Sequence, residues 1–353
     1  MTDHVLTGTT GFVGSHLLSD LLSDDTTGSV YALARGTAER SAAERVHAAL
    51  AVAGHRSADG QRPLTVVESE LTEPLCGVAA TAVPRGDGPL VFWHIAASLQ
   101  WQQEKRASVF ETNVEGTRHA LELAKSLGAD LFVYVSTAYT CGTLHGDLPE
   151  ALHRPPAFNN AYEESKCAAE HLVAGSEGLR TLILRPSVVM GTSHDHRPSG
   201  SYTGLYGYLT TLRRFQSELD GCGGPVRFAA DRDTTISFIP VDHLVEDFRA
   251  IVGAEMAAPR RSVYHVSGRT ESTVGELTDY MLKILGMDGQ ILLVDETLED
   301  LSPLELSLAK RLEFFSGYLR AEKRFIRSQE PERSTPFHEL TRFIDAEVTL
   351  ASG

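Results

Sequence analysis

Short apolar runs alternate with longer helical patterns through the first two-thirds of the chain. Each run is nearly continuous in aliphatic and aromatic residues, which is typical of strands buried on both faces of a parallel sheet. The predicted strands cover residues 4–7, 29–34, 64–67, 90–95, 131–135 and 181–184. The predicted helices between them cover residues 12–22, 42–53, 109–127 and 162–173. This order predicts an α/β fold with a doubly wound parallel sheet.

The pattern changes after about residue 186, where Gly and Ser concentrate in residues 199–207. Later segments still predict strands at 226–229, 262–266 and 291–294 and helices at 241–252 and 273–285, and the last sixty residues look mostly helical. We therefore expect a sheet domain over residues 1–190, to which residues 226–266 partly return. Residues 191–353 are expected to form mainly a smaller, mostly helical C-terminal cap that binds the substrate.

Composition narrows the class of protein. The chain has 353 residues, of which 42% are hydrophobic and 22% charged, as in ordinary globular proteins of about two domains. Its 47 acidic residues outnumber 32 Lys and Arg, so the net charge of −15 argues against nucleic-acid binding. No apolar run approaches the roughly 18 residues of a membrane span. Cys76, Cys141, Cys167 and Cys222 form no CxxC pair and no export signal begins the chain, so a cytoplasmic protein with reduced thiols is expected.

A glycine-rich loop follows the first predicted strand and opens a helix. The glycines are spaced G-x-x-G-x-x-G, at Gly8, Gly11 and Gly14. Such a loop lets the backbone approach a pyrophosphate, which then faces the unpaired N–H groups of the helix N-terminus. The alternative is a turn that binds nothing. The residues expected to contact the cofactor here are Gly8, Thr10, Gly11, Phe12, Val13 and Gly14.

The end of the second predicted strand favours NADPH over NADH. An acidic residue there would bind the ribose 2′-hydroxyl, whereas an arginine suits a 2′-phosphate. This chain has Arg35 and no acid at that point, and Arg45 follows as a second candidate cation. The alternative is that Arg35 is an ordinary exposed loop residue.

Three residues form the candidate catalytic set. Thr137 stands at the end of the fifth strand, and Tyr162 and Lys166 lie four residues apart on one helix face. A nearby ammonium is expected to lower the pKa of the Tyr162 phenol, which could then donate a proton to a substrate oxygen as hydride arrives at carbon. Thr137 would orient that oxygen.

The glycine spacing and this Thr/Tyr/Lys set resemble the short-chain dehydrogenase/reductase superfamily in its extended branch, so a Rossmann-like sheet is expected. The resemblance implies Thr137 rather than Ser136 as the catalytic hydroxyl, because Gly142 follows five residues later. It also implies that Lys166 holds the nicotinamide ribose. Further cofactor residues that it implies are Glu70, Leu71, Ala96, Ala97, Asn113, Pro186 and Val188. Glu70-Leu71 departs from the usual Asp-Leu, which alters the reach toward adenine.

The segments TGTTGFVGSHLL, HIAAS-x-x-W, TNVEGT, VSTAY and FIPVD look like the thioester reductase and fatty acyl reductase branch. That resemblance implies reduction of a carrier- or CoA-bound acyl thioester by NADPH to an aldehyde or alcohol, in secondary or lipid metabolism. The chain would act in trans on an acyl group brought by an acyl or peptidyl carrier protein, and a homodimer through the helices around Val109 and Tyr162 is implied too.

Two segments of the C-terminal region allow two interpretations each. A basic set could dock an acidic carrier or be an ion-paired helix face: Lys310, Arg311, Arg320, Lys323, Arg324 and Arg327. The apolar segment 312–319 could pack in the core or line an acyl pocket.

Other functions remain open at this point. A ketone, alcohol or nucleotide-sugar oxidoreductase or epimerase would use the same catalytic set, and Arg213, Arg214 or Arg227 could then bind a diphosphate. A cofactor-sensing regulator is less compatible, since Tyr162 and Lys166 are both retained. No metal is expected, because His194 and His196 are loop residues without an HExxH or cysteine cluster.

Overall fold

A computed structural model describes the chain over residues 1–55, 62–198, 204–219, 224–270, 272–329 and 333–352. Cys76, Cys141 and Cys167 are free and buried in it, whereas Cys222 lies outside the described residues. Among the described helices, none combines the length and the apolar character needed to cross a membrane.

The strands are, in chain order, β1 (Thr2–Thr7), β2 (Thr27–Ala34), β3 (Leu64–Glu68), β4 (Leu90–His94), β5 (Leu131–Val135), β6 (Gly146–Leu148), β7 (Thr181–Pro186), β8 (Val188–Met190), β9 (Val226–Ala229), β10 (Phe238–Pro240), β11 (Val263–Val266), β12 (Arg269–Thr270), β13 (Ile291–Val294), β14 (Lys323–Phe325) and β15 (Ser334–Thr335). The α-helices are α1 (Phe12–Ser23), α2 (Ala42–Val52), α3 (Arg106–Phe110), α4 (Gly116–Ser126), α5 (Ala161–Ala174), α6 (Gly204–Phe215), α7 (Val241–Ala257), α8 (Val274–Ile284), α9 (Pro303–Arg311), α10 (Glu313–Ser316) and α11 (Phe337–Ser352).

Seven strands form one sheet in the order β3-β2-β1-β4-β5-β7-β11, and every neighbouring pair is parallel. The order reverses between β1 and β4, so the carboxyl ends of these strands border a crevice where α/β proteins bind ligands. The predicted Rossmann-like, doubly wound α/β fold is confirmed.

Helices cover both faces of this sheet. One face packs against α1, α2 and α7 around Trp93, and the other packs against α4 and α5 around Phe92. These two aromatic residues are neighbours on β4, so their side chains alternate between the two layers as strand geometry requires. A third apolar cluster belongs to the C-terminal region and contains α6, α8 and the ends of α9 and α11.

The C-terminal region differs from the expectation in several elements. β11 extends the main sheet, whereas β9 pairs with β13 in a separate two-stranded sheet. Helix α6 was not predicted, because its glycines suggested a loop, yet Leu205, Leu209 and Leu212 bury one face of it. The last sixty residues were expected to be mostly helical, but they also contain β14 and β15, each paired with a strand from earlier in the chain.

A buried ion pair joins α5 to the sheet. Arg185 on β7 donates through two nitrogens to both carboxylate oxygens of Glu170 at 2.8 and 2.6 Å, and both side chains are fully buried. His153 and His265 lie against the same guanidinium at 3.3 and 3.4 Å. Burial first, and the charge of Arg185 next, lower the pKa of His153 to about 3. The neutral imidazole can therefore accept a hydrogen bond from Arg185.

We predict that Glu170→Gln destabilises the protein by about 3–5 kcal/mol, because it leaves the charge of Arg185 buried without a counterion. Urea denaturation of the wild type and the variant measures this difference. Glu170→Met combined with Arg185→Met removes both charges and is expected to cost less than the single change. A single variant as stable as the wild type would show that the pair does not hold α5 on the sheet.

Candidate active site

One continuous cavity of about 820 Å³ runs from the carboxyl ends of the strands into the C-terminal region. It is lined by all three expected catalytic residues, Thr137, Tyr162 and Lys166. It is also lined by the expected cofactor residues Gly8, Thr10, Gly11, Phe12, Val13, Gly14, Arg35, Arg45, Glu70, Leu71, Ala96, Ala97, Pro186 and Val188. Asn113 is the exception, since it is buried behind the cavity wall.

The glycine loop is shaped for close approach. Gly8 has φ +75°, and a Cβ there would stand 2.6 Å from the Ala96 backbone nitrogen. A Cβ on Gly14 would overlap the carbonyl oxygen of Gly8, so a side chain at either position would push the loop away from α1. The N-terminus of α1 therefore remains open to the cavity. These residues fit the pyrophosphate of a dinucleotide.

A buried chain of hydrogen bonds fixes the loop that follows β4. The Thr7 hydroxyl accepts from the backbone N–H groups of Ile95 (3.1 Å) and Ala96 (3.2 Å), so its own proton points to His94 Nδ1 at 2.8 Å. His94 Nε2 then donates to the Thr117 hydroxyl at 3.0 Å. Because burial lowers the pKa of His94 to about 3, the ring stays neutral and this tautomer is the one that satisfies every partner.

Asn113 supports the same loop from behind. Its side-chain oxygen accepts from the Ser98 N–H at 2.7 Å, and its amide donates to the Ser98 carbonyl at 3.0 Å and to the Ser165 hydroxyl at 2.9 Å. A π-helical turn, Glu111–Glu115, carries Asn113 between α3 and α4. Asn113 therefore positions the cavity wall and does not itself line the cavity, although the sequence grouped it with the cofactor residues.

The far end of the cavity carries opposite charges. Arg35 Nη1 lies 3.2 Å from a Glu70 carboxylate oxygen, and both side chains are more than a third exposed. Arg45 donates to the backbone oxygen of Arg35. The backbone N–H of Gly36 donates to Glu68 at 2.8 Å. The carboxylates of Glu70 and Glu68 thus bind the Arg35 side chain and the Gly36 N–H, which are donors that a phosphate could use. An exposed ion pair such as Arg35–Glu70 is weak, so a phosphate could displace the carboxylate at little cost in free energy.

Thr137 and Tyr162 lie together in the cavity. The Thr137 hydroxyl accepts from the Tyr139 N–H at 3.3 Å and keeps its own proton available. The neighbouring Ser136 hydroxyl is buried and has no hydrogen-bond partner among the described residues. Burial, and then the charge of Glu163, raise the pKa of the Tyr162 phenol. Tyr162 is therefore neutral and holds its proton at physiological pH.

Lys166 differs from its expected behaviour. Its ammonium donates to the Val135 carbonyl at 2.8 Å and lies 4.1 Å from the centre of the Tyr134 ring. Burial lowers the pKa of Lys166 to about 7, and Glu170 opposes this shift. The sequence predicts that Lys166 lowers the pKa of Tyr162, whereas the shift in this structure is upward and is caused first by burial and then by Glu163. The catalytic role of Lys166 stays a prediction.

The C-terminal region closes the other end of the cavity with uncharged residues. They form the cap pocket, lined by Gly204, Leu205, Tyr208, Ile236, Phe238, Val274, Leu277, Thr278, Met281, Phe314, Phe315, Tyr318 and Leu319. Segment 312–319 thus both packs in the core and lines the cavity. The sequence did not predict that residues of α8 line the cavity. An amphipathic pattern shows which helix face is buried, but not which buried residues face a ligand.

A segment that begins in the cap pocket folds back onto the loop after Thr137, and we call residues 318–327 the C-terminal clasp. Tyr318 OH accepts from Asn160 Nδ2 at 2.9 Å, and Lys323 Nζ donates to the carbonyls of Gly142 (2.8 Å) and Leu144 (2.5 Å). β14 pairs with β6 beside these contacts. The clasp therefore holds the loop that carries Thr137.

Acidic side chains neutralise most of the arginine charges in the basic C-terminal set. Arg324 pairs with Asp147 at 2.6 Å and with Glu322 at 3.1 Å, and Arg327 pairs with Asp247 at 3.5 Å. Arg311 pairs with Glu218, and Lys323 is buried. These contacts favour the interpretation of an ion-paired surface over a free basic face.

The chain is similar in sequence to curated proteins from several organisms. The L-2-aminoadipate reductase large subunit of Candida glabrata is 27% identical over 311 residues, covering 81% of this chain and 21% of that protein. Fatty acyl-CoA reductase 1 of Rattus norvegicus is 30% identical over 329 residues, covering 78% of this chain and 60% of that protein. The chain thus spans about a fifth of the first of these relatives.

Solved structures share the fold. The terminal R domain from the myxalamid PKS-NRPS biosynthetic pathway matches with a TM-score of 0.68 at 19% identity, covering 100% of this chain and 92% of that one. A thiolation-reductase di-domain from an archaeal non-ribosomal peptide synthetase matches with a TM-score of 0.67 at 17% identity, covering 99% and 91%.

The family described as "Male sterility protein" matches residues 6–248, which include the glycine loop and all three expected catalytic residues. The predicted resemblance is confirmed: this chain belongs to that family, within the extended short-chain dehydrogenase/reductases that bind NAD(P), and it is homologous to thioester reductase domains and fatty acyl-CoA reductases.

Proposed function

We propose that this protein reduces an acyl thioester to an aldehyde with NADPH. The observation that carries the proposal is the single cavity that joins the glycine loop and Tyr162 to an uncharged, largely apolar pocket. An acyl chain would lie in the cap pocket with its thioester carbonyl beside Thr137 and Tyr162. The names of the relatives, a fatty acyl-CoA reductase and an aminoadipate reductase, support this class of reaction.

The protein's own groups serve this chemistry. Bound NADPH would supply the hydride for the carbonyl carbon. Thr137 and Tyr162 donate hydrogen bonds to the carbonyl oxygen as negative charge develops on it. Tyr162 suits this role, because burial keeps its phenol protonated. Tyr162 passes its proton to the carbonyl oxygen. When the C–S bond breaks, the aldehyde forms and the oxygen returns that proton to Tyr162, while the leaving thiolate takes a proton from water, so each turnover consumes one NADPH and one proton. Lys166 donates to the Val135 carbonyl and would also hold the nicotinamide ribose of the bound cofactor.

NADPH is the proposed cofactor on the strength of Arg35 and Arg45. Both line the cavity, and no acidic residue ends β2. The 2′-phosphate would replace Glu70 on Arg35, forming charge-assisted hydrogen bonds that a ribose hydroxyl cannot match.

The cap pocket also distinguishes the candidate substrates. A nucleotide-sugar enzyme needs cations near the diphosphate, but Arg213, Arg214 and Arg227 do not line the cavity, and Arg227 pairs with Glu305 at 2.6 Å. An aminoadipyl group carries charges that find no counterion among the described residues of this pocket. We therefore favour an uncharged acyl group. A ketone of similar shape is the second candidate, since the same hydroxyls would serve it.

Delivery by an acyl or peptidyl carrier protein, acting in trans, remains part of the proposal. One similar structure is a thiolation-reductase di-domain, which supports a carrier-bound substrate. Most arginines of the C-terminal set are ion-paired within the described part of the chain, so this surface gives little support for docking an acidic carrier there. The homodimer and the cytoplasmic location stay predictions.

The reaction is tested by following NADPH absorbance with octanoyl-CoA and, in parallel, with 2-octanone. We expect oxidation and free thiol release with the thioester. Tyr162→Phe should lower kcat by about a hundredfold or more with little change in NADPH affinity, because it removes the proton donor and not the binding loop. Turnover with the ketone alone would assign the protein to the ketoreductases.

Cofactor choice is tested with Arg35→Ala. We expect the KM for NADPH to rise about tenfold or more, since a charged hydrogen bond contributes about 1.5–3 kcal/mol. The KM for NADH serves as the internal control and should hardly change. An equal effect on both cofactors would contradict the proposed contact with the 2′-phosphate.

Lys166 predicts a pH-dependent difference in stability. Burial holds its folded-state pKa near 7, below the usual value of 10.5. The folded state therefore binds fewer protons than the unfolded state between these values, and this group's contribution to stability increases as pH rises through them. Its destabilising effect is complete below pH 7. Lys166→Met should melt a few degrees higher than the wild type at pH 6, with a smaller difference at pH 9. A difference independent of pH would contradict this assignment.

A further inference from the structure

Tyr139 presents a phenol to the cavity that nothing in the reaction has yet used. It lies on the turn Ala138–Cys141, and its N–H donates to the Thr137 hydroxyl at 3.3 Å. Its ring packs edge-on against Tyr318 and Phe325, with centroids at 4.9 and 5.5 Å. The side chain lines the cavity, and its hydroxyl makes no hydrogen bond with any described residue.

The other cavity phenols of this region are occupied. Tyr318 OH accepts from Asn160 Nδ2 at 2.9 Å, and burial, followed by the charge of the nearby Glu163 carboxylate, raises the pKa of its phenol. Tyr208 OH pairs with the Thr278 hydroxyl at 3.2 Å in the cap pocket. Tyr162 is assigned to proton donation. Tyr139 therefore holds a spare hydrogen-bond donor at the boundary between the catalytic hydroxyls and the cap pocket.

We propose that Tyr139 donates a hydrogen bond to an uncharged oxygen on the acyl chain, close to the thioester, so that the preferred substrate is an oxygenated acyl group. This inference rests on the proposed function. A purely hydrocarbon chain lying over Tyr139 would displace water from its hydroxyl without offering another hydrogen-bond acceptor. This loss would reduce the free energy of binding for such a substrate.

The surroundings restrict both the position and the nature of that oxygen. Tyr139 lies two residues after Thr137, and its backbone N–H donates to the Thr137 hydroxyl at 3.3 Å. Both residues line the cavity, so the Tyr139 side chain starts from the same turn as the proposed oxyanion donor. Its ring contacts the clasp and not the glycine loop, which places it on the acyl side. Burial raises the pKa of Tyr139, so the group is a donor and not an anion. No described residue of the cap pocket is charged, so a carboxylate or amine on the acyl chain would find no counterion there.

Tyr139→Phe tests this with a pair of substrates, octanoyl-CoA and 3-hydroxyoctanoyl-CoA. Phenylalanine keeps the ring packing and removes only the hydroxyl. We expect the wild type to prefer the hydroxylated thioester, and the variant to lose about tenfold in kcat/KM with that substrate alone. Tyr318→Phe is the matched control: it removes a phenol that is already paired, so it should affect both substrates equally.

Binding provides a second readout that does not need turnover. Calorimetry with the two corresponding acyl-pantetheine amides, in the presence of NADPH, should show that the hydroxylated amide binds more tightly to the wild type but not to Tyr139→Phe. Equal losses with both ligands, or no loss with either, would overturn the role of Tyr139. Selective binding without turnover of either thioester would leave that role standing and reject thioester reduction.

Discussion

The buried pair of Arg185 and Glu170 is the constraint on which the site depends. Glu170 lies on α5, the helix that also carries Tyr162 and Lys166, and Arg185 lies on β7 directly before Pro186 at the cavity wall. An unpaired charge at this depth would be expensive, so the helix has one favourable position on the sheet. The ion pair lies one helical turn beyond Lys166 on α5. It therefore fixes where Tyr162, the proposed proton donor, lies relative to the carboxyl ends of the strands.

The sequence was most informative where function depends on local spacing. The glycine loop and the Tyr162/Lys166 spacing are short patterns tied to one strand or helix, and the structure places them around one cavity. It was least informative where packing between distant segments determines the partners and pKa values of the side chains. The partner of Lys166 is the Val135 carbonyl, and the pKa of Tyr162 follows from burial, which no short pattern reveals. The pairing of β14 with β6 joins segments too far apart for periodicity to detect.

Several polar groups around the cavity are left without partners by the protein itself. The hydroxyls of Ser136 and Ser187 are buried, line the cavity and have no hydrogen bond among the described residues. Lys166 is fully buried and donates to the Val135 carbonyl, but no carboxylate among the described residues forms an ion pair with it. Such groups weaken the unliganded fold, and they collect here because a ligand is needed to satisfy them. The apolar clusters on the two faces of the sheet offset this loss of folding free energy.

The C-terminal clasp has a consequence for how the protein is made. β6 is synthesised long before β14, yet Lys323 and Tyr318 hold the loop and helix end beside β6. The sheet can assemble on the ribosome while the catalytic loop still lacks its support, because domains fold progressively as the chain emerges. The nascent enzyme would thus stay idle until its late segments have left the exit tunnel. The fold thereby delays its chemistry until the C-terminal clasp has been synthesised and has paired with β6.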